Sequence, residues 1–296
     1  MHNIPIHIHI EISMSIAQQR KVVDIKRFDT SPKIDGIIDD KQWKDLIPAT
    51  KFERWMPNNG ASEKKGYENY VYLGYDDNAI YVGARLNNPN PIPVEFSQRD
   101  NIWQVNAELF FVSINTYDDN TNYQSFQVTS AGTQGDRYTS GQMSQDDQNF
   151  DTVFESKVSI IKDGWSIEMK IPYSALRFPS KDIQNWGINF GRKISETGEV
   201  YTWNLVDITK ANYPESMGIT SAIKNISPPL RLFFYPYLQS SIDVKKGNKP
   251  LSLYSAGMDV KYGISNSFTL DATLIPDFGQ VTFDDKELNL SPFEQK

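Results

Sequence analysis

All three histidines of the chain, His2, His7 and His9, lie at its N-terminus, and there is no cysteine. From residue 10 onward no Ser-His-Asp triad, His-ligated metal or imidazole base can be assembled. Thiol nucleophiles, disulfides and cysteine-bound zinc or iron–sulfur centres are excluded as well. Carboxylate, lysine and tyrosine chemistry remain, together with oxygen-liganded cations such as calcium. Glu108 and Glu168 are the obvious carboxylate pair, and glycoside hydrolysis needs only two. Glu108 shares a strand face with Phe110, Val112 and Ile114, an unexpected place for a charge unless it is paired, by Arg99 or Arg192, or receives a ligand. Glu168 alternates with Ile167 and Met169 beside Lys170, on the face expected to be wet. Nothing there would raise the pKa of an acid catalyst, so catalysis is not expected. Asp118-x-Asn120-x-Asn122 echoes the start of an EF-hand loop but lacks its glycine and closing glutamate, and reads as a plain turn.

The elements that must carry these residues are strands. Turn chemistry recurs roughly every ten residues, with β-branched and aromatic runs between. Tyr70–Tyr75 and Ala79–Ala84 flank Asp76-Asp77-Asn78 as a hairpin, and Glu108–Ile114 with Tyr123–Thr129 flank Asp118–Asn122. A third hairpin joins Val153–Ile161 to Trp165–Ile171 through Lys162-Asp163-Gly164. In its second strand Trp165, Ile167, Met169 and Ile171 alternate with Ser166, Glu168 and Lys170, which predicts one buried and one solvated face. Helical signals are confined to a turn after Asp39 and another at Pro172–Leu176.

Composition sets the remaining bounds. The chain has 296 residues, 39% hydrophobic and 23% charged, and reads as folded. A formal net charge of −7 argues against a nucleic-acid partner, which would demand clustered Lys and Arg. Residues 1–17 end in Ser15-Ile16-Ala17, a small-x-small pattern, but lack a basic start and an unbroken apolar run; they read as a degenerate signal-like segment. His7-x-His9 is read as part of that segment and not as a metal clip.

Character changes after Ser227-Pro228-Pro229. Tyr254, Ala256, Met258, Val260 and Tyr262 fall on one strand face, with Ser255, Asp259 and Lys261 opposite. Phe268, Leu270, Ala272 and Leu274 repeat the pattern after a turn at residues 263–267. Strands of about ten residues with one apolar and one polar face, and tyrosines near both ends, suit either a membrane barrel or an ordinary amphipathic hairpin.

Pro32-Lys33-Ile34-Asp35-Gly36-Ile37-Ile38-Asp39-Asp40-Lys41-Gln42-Trp43 resembles the opening motif of carbohydrate-binding module family 9. Leu73–Val82, Glu108–Val112 and Gly164–Pro172 resemble its later strands in order. Asp259–Gly263, Leu270–Thr273 and Pro276-Asp277-Phe278-Gly279-Gln280-Val281 resemble bacterial envelope proteins of the DUF5916 type, typical of Bacteroidetes-like bacteria, which join such a module to an outer-membrane barrel. The resemblance implies an all-β chain: an antiparallel β-sandwich over residues 18–227, then the first strands of an incomplete membrane β-barrel over 228–296. A closed barrel needs about eight strands, so the chain reads as a fragment. It also implies a location in the cell envelope at the outer membrane, the module being periplasmic or surface-exposed.

Family 9 modules clamp the end of a glycan between two aromatic side chains beside a glutamate. Carried over by position, Trp103 and Tyr213 would be the clamp, with Glu108, Gln127 and Arg192 as polar partners. Tyr213 stands where the family has Trp, Gln127 where a basic residue is expected, and Val105 where an acidic one is. Trp55 belongs either to the same surface or to the core. Asp35, Gly36 and Trp43 are read as structural. No cofactor is implied, though structural calcium occurs in the family. The expected function is a non-catalytic carbohydrate-binding module, with a structural or plug domain, or part of a glycoside-hydrolysing protein, as alternatives.

Overall fold

The computed structural model describes residues 20–140, 145–147, 150–209, 213–230, 232–243, 251–264 and 268–274. The signal-like segment 1–17, its histidines and the Pro276–Val281 motif lie outside the described residues. The chain divides into two compact units, Met1–Pro228 and Pro229–Lys296.

The first unit is a β-sandwich. One sheet runs Val22–Val23, Gly218–Thr220, Gly187–Lys193, Leu109–Asn115, Tyr123–Thr129, Gln134–Ser140 and Gln145–Asp147 in spatial order. The Val200–Thr202 strand branches from Gly187–Lys193 and carries Glu53–Met56 on its far side. The other sheet runs Glu155–Ile161, Gly164–Pro172, Ala79–Asn87, Asn69–Tyr75 and Lys26–Arg27. Pairing is antiparallel except at the N-terminus, where Val22–Val23 and Lys26–Arg27 each join a sheet edge in parallel. All three hairpins expected from the turn chemistry form.

Alternation builds the core. Phe110, Val112, Ile114, Phe126 and Val128 of the first sheet meet Val71, Leu73, Val82, Trp165, Ile167 and Met169 of the second, all buried. Each such side chain is stabilised by about 1.5–3 kcal/mol on burial, so this interface dominates the folding of the unit.

Glu108 and Arg192 face into that core, each fully buried. Arg192 Nε donates to Glu108 Oε2 at 2.8 Å, and Nη2 lies 2.6 Å from the same oxygen. Nη1 donates to Asn69 Oδ1 (3.1 Å) and to the Asn87 carbonyl (2.7 Å). Asn88 Nδ2 and Trp165 Nε1 donate to the Glu108 carboxylate at 2.8 and 3.2 Å. The pair belongs to the first sheet; Asn69, Asn87 and Trp165 belong to the second. Of the two ion pairs open to Glu108, the one with Arg192 forms, while Arg99 is taken by Asp136 and Asp151.

The outer face of the second sheet corrects the sequence reading. Ser166 and Glu168 are buried because residues 28–46 lie across that face, placing Phe28, Trp43 and Leu46 on Ala79 and Tyr81. Glu168 accepts the Asp35 and Gly36 amides on Oε2 (2.9 and 2.8 Å) and the Trp43 indole N–H on Oε1 (2.8 Å). Burial pushes its carboxyl above the ordinary range, against the pull of those donors. Gly36 has φ +88°, and a Cβ there would sit 2.8 Å from the Val158 backbone, so glycine is required twice over. The helical turn spans Lys41–Lys44 with Asp40, not Asp39, at its N-cap position, and no side chain caps it.

The second unit is an antiparallel meander of Leu232–Asp243, Leu251–Gly263 and Thr269–Leu274. Register sets Phe234 beside Val260 and Ala272, and Leu232 beside Tyr262 and Leu270. One face therefore carries Leu232, Phe234, Leu238, Val260, Tyr262 and Leu270. The other mixes Phe233, Tyr235 and Tyr237 with Gln239, Asp259 and Lys261, which pairs with Asp271 at 3.8 Å. Among the described residues the sheet is open; no closed barrel is present.

Removing one partner of the interior ion pair leaves an uncompensated buried charge. Glu108→Gln is expected to lose about 3–5 kcal/mol in urea unfolding, and Glu108→Gln/Arg192→Met less than the sum of the single changes. Additive losses would contradict the coupling.

Candidate functional site

The strands that bury Phe110, Val112, Phe126 and Val128 present their alternate residues on the outer face of the first sheet. Register aligns Phe111 with Gln127, Ser113 with Ser125, Ser125 with Arg137, and Tyr123 with Thr139. Two buried serines at the centre leave a shallow trough where larger side chains would fill the surface. Aromatic side chains rise on its flanks, and the whole forms a cleft of about 130 Å³.

On one flank Tyr213 packs between Trp55 and Tyr123, with ring centroids 5.5 and 4.9 Å away. On the other, Trp103 lies 6.0 Å from Phe111. The Phe111 ring lies over Gly191, where a Cβ would come within 2.0 Å of it. Between the flanks runs an unbroken chain of hydrogen bonds. Trp103 Nε1 donates to Gln127 Oε1 (2.9 Å), and Gln127 Nε2 donates to Ser125 Oγ (3.3 Å). Ser113 Oγ donates to Ser125 Oγ (3.4 Å), and the Tyr213 hydroxyl donates to Ser113 Oγ (3.2 Å). Burial pushes the Tyr213 hydroxyl above its ordinary value, so it keeps its proton and stays a donor.

The wall residues are fastened from behind. Lys193 Nζ donates to the Trp103 carbonyl. Trp55 sits on Glu53–Met56, the strand carried by Val200–Thr202, and Asn59 Nδ2 bridges the Trp55 and Val206 carbonyls at 3.2 and 2.7 Å. At that strand's base Glu199 accepts Arg54 Nη1 (2.6 Å), Lys64 Nζ (2.9 Å) and the Tyr201 hydroxyl (3.2 Å). Burial alone would raise the Glu199 carboxyl; the hydrogen bonds from Lys64, Arg54 and Tyr201 outweigh it and hold the group below the usual carboxylate range.

Of the residues expected at a ligand site, the structure brings Trp103, Gln127 and Tyr213 together, with Trp55 among them. It does not bring Glu108 or Arg192 there: they face the opposite side of their strands and are consumed by each other in the core. The spacing places Glu108 on the face of Phe110, which is the core face, so the glutamate of a clamp has no counterpart there. The sequence reading missed Phe111, Ser113, Tyr123, Ser125, Arg137 and Thr139. For Phe111, Ser113, Tyr123 and Ser125 the signal was the period-two complement of the core positions, available once Leu109–Asn115 and Tyr123–Thr129 are paired; Arg137 and Thr139 lie on Gln134–Ser140, which the sequence did not mark as a strand. The Asp118–Asn122 loop is a self-closed turn: Asp119 accepts the Thr121 and Asn122 amides (2.9 and 3.1 Å), and Asp118 pairs with Arg20 at 2.7 Å. Neither Glu108 nor Glu168 reaches solvent, and they lie on opposite faces of the second sheet.

The profile of a family described as "Domain of unknown function (DUF5916)" matches residues 228–296. No curated protein sequence matches the chain significantly. Among solved structures, a carbohydrate binding module family 9 (CBM9) from Caldicellulosiruptor kristjanssonii in complex with cellotriose is similar, at 18% identity and a TM-score of 0.48, over 68% of this chain and 92% of its own. A module of that family from the same organism in complex with glucose is similar at 16% identity and a TM-score of 0.45, over 71% and 97% of the respective chains.

The Glu199 clasp carries a signed pH dependence. Its folded-state value lies below the unfolded one, so its contribution is complete above the ordinary carboxylate range and is lost as pH falls through the lowered value. The stability gap between the wild type and Glu199→Gln is therefore expected to be widest near neutrality and to close in acid, below about pH 4. A gap unchanged across that range by thermal unfolding would show that the clasp does not depend on the carboxylate charge.

Proposed function

We propose that the sandwich is a non-catalytic carbohydrate-binding module whose aromatic-walled groove receives the end of a glycan. The observation that carries this reading is the hydrogen-bond chain Trp103–Gln127–Ser125–Ser113–Tyr213, which joins two aromatic walls across a polar floor. A pyranose ring offers apolar C–H faces and an equatorial belt of hydroxyls. Stacking surfaces on the flanks and hydroxyl and amide groups on the floor match that division. The cleft, at about 130 Å³, is far below the ~300–1,000 Å³ of drug-sized pockets and suits a terminal ring better than an extended chain. The ordered resemblance to family 9 motifs supports the same reading. With Glu108 and Glu168 both sequestered, neither stands where a glycosidase would need it.

The test is calorimetric titration of the full chain with glucose and cellotriose. Saturable heat is expected from the wild type, with affinity roughly tenfold or more weaker in Trp103→Ala, equivalent to about 1.4 kcal/mol. Silence from the wild type would favour a structural or plug domain instead.

A second part of the proposal concerns residues 228–296, read as the opening strands of an outer-membrane barrel that tethers the module. Strands Leu232–Asp243 and Leu251–Gly263 exceed the ~9–11 residues a tilted membrane strand needs, and Leu232, Phe234, Leu238, Val260 and Tyr262 make one of their faces largely apolar. Leu238 and Tyr254, on the apolar face, are among the most exposed large side chains of the chain. The absence of native cysteine allows single-site labelling. A polarity-sensitive dye at Leu238→Cys is expected to shift to the blue with phospholipid vesicles, while the same dye at Asp259→Cys does not. Identical responses at both sites would remove the membrane reading.

A further inference from the structure

The floor of the groove is polar in composition but has little left to offer. Ser113 is 1% exposed, and Ser125 and Gln127 are 4% exposed each. Their groups are also engaged with one another. Both lone pairs of Ser125 Oγ are taken, by Gln127 Nε2 and Ser113 Oγ; Ser113 Oγ accepts the Tyr213 hydroxyl, and Gln127 Oε1 the Trp103 indole. Thr139 is buried, and Tyr123, Arg137 and Thr139 have partners of their own. The rings of Trp55, Trp103, Tyr123 and Tyr213, by contrast, are half-buried and line the cleft. A sugar hydroxyl turned toward that floor would leave water for groups already paired, and a polar group desolvated without a full partner is costly. A methyl group there loses no hydrogen bond and gains apolar contact. Belt hydroxyls directed to the mouth keep their water, so only the edge of the ring that points inward is constrained.

We infer that the groove prefers a glycan end that bears a methyl in place of the C6 hydroxymethyl group, a 6-deoxyhexose. The inference rests on the groove being a glycan site. The hydroxymethyl arm reaches furthest beyond a hexopyranose ring, so it is the group that meets the floor when the ring lies between the flanks. In a cleft of about 130 Å³ the smaller methyl is favoured on size as well. An N-acetyl or O-methyl substituent also ends in a methyl, but each brings polar atoms that the paired floor would have to satisfy. The aromatic flanks then recognise the C–H faces, and the floor sorts sugars of one configuration by what they carry at C6.

The experiment is calorimetric titration of the full chain with glucose and with 6-deoxyglucose, which differ only in the C6 oxygen. The wild type is expected to bind 6-deoxyglucose roughly tenfold more tightly. Ser113→Ala removes the central link of the floor: the Tyr213 hydroxyl and one lone pair of Ser125 Oγ are released, and the C6 hydroxyl of glucose gains partners. In that variant the ratio should fall toward one, through tighter binding of glucose. Glucose binding as tightly as 6-deoxyglucose in the wild type overturns the inference without need of any variant, and leaves the glycan reading standing. A preference that persists in full in Ser113→Ala also overturns it, because the floor then plays no part. If neither sugar binds, both readings fall.

Discussion

The ion pair between Glu108 and Arg192 fixes how the two sheets meet. Taking a carboxylate and a guanidinium out of water costs several kcal/mol per ion, which is recovered only when geometry and surrounding hydrogen bonds are good. Here the surround is supplied from across the sandwich: Asn69, Asn87 and Trp165 belong to the facing sheet. Neither sheet can slide without stranding a charge. Strand register is bound to the same pair, because shifting a strand by one residue exchanges its faces. A slip in Leu109–Asn115 would put Glu108 in the groove and Ser113 in the core. The interior charge thereby selects the register that gives the outer face its serines and aromatic flanks.

That outer face is a surface the core has already paid for. Phe110, Val112, Phe126 and Val128 hold the strands in place, and so position Phe111, Ser113, Ser125 and Gln127 on the opposite face. The hydrogen-bond chain across the floor then ties Trp103, which lies on a loop, to Tyr213, which precedes a short 3-10 turn at Pro214–Ser216. Flanks that are far apart in sequence become parts of one rigid trough. Preorganisation of this kind lowers the side-chain ordering cost of binding, about 0.5–1.5 kcal/mol per immobilised side chain.

Much of this was legible because strands write their faces into the sequence with period two. The hairpins at Asp76–Asn78, Asp118–Asn122 and Lys162–Gly164 follow from turn chemistry, and the core faces follow from alternation. Glu168 was misread by the same rule. Alternation says which residues share a face, but not whether water or another segment covers it, and residues 28–46 cover it here. Glu108 was placed on the right face, yet its partner sits on a strand 84 residues away, and only the Phe110–Arg192 register makes that choice. The strand Gln134–Ser140, Gln-Gly-Asp-Arg-Tyr-Thr-Ser, has no run of β-branched or apolar residues. It is a strand because Tyr123–Thr129 offers it an edge, so Arg137 had no visible address until that edge was seen.

Composition offered carboxylates as the chain's main chemical resource, and the fold has spent its two best-placed ones internally. Glu108 locks the sheets together; Glu168 gathers the Asp35 and Gly36 amides and the Trp43 indole, and so fastens the N-terminal segment to the second sheet. Glu199, a third, steadies the strand that bears Trp55. Each of these acids stands behind the groove or beneath the sandwich, and none lines it. The consequence is electrostatic: a chain of net charge −7 presents a trough whose described lining contains a guanidinium and no carboxylate.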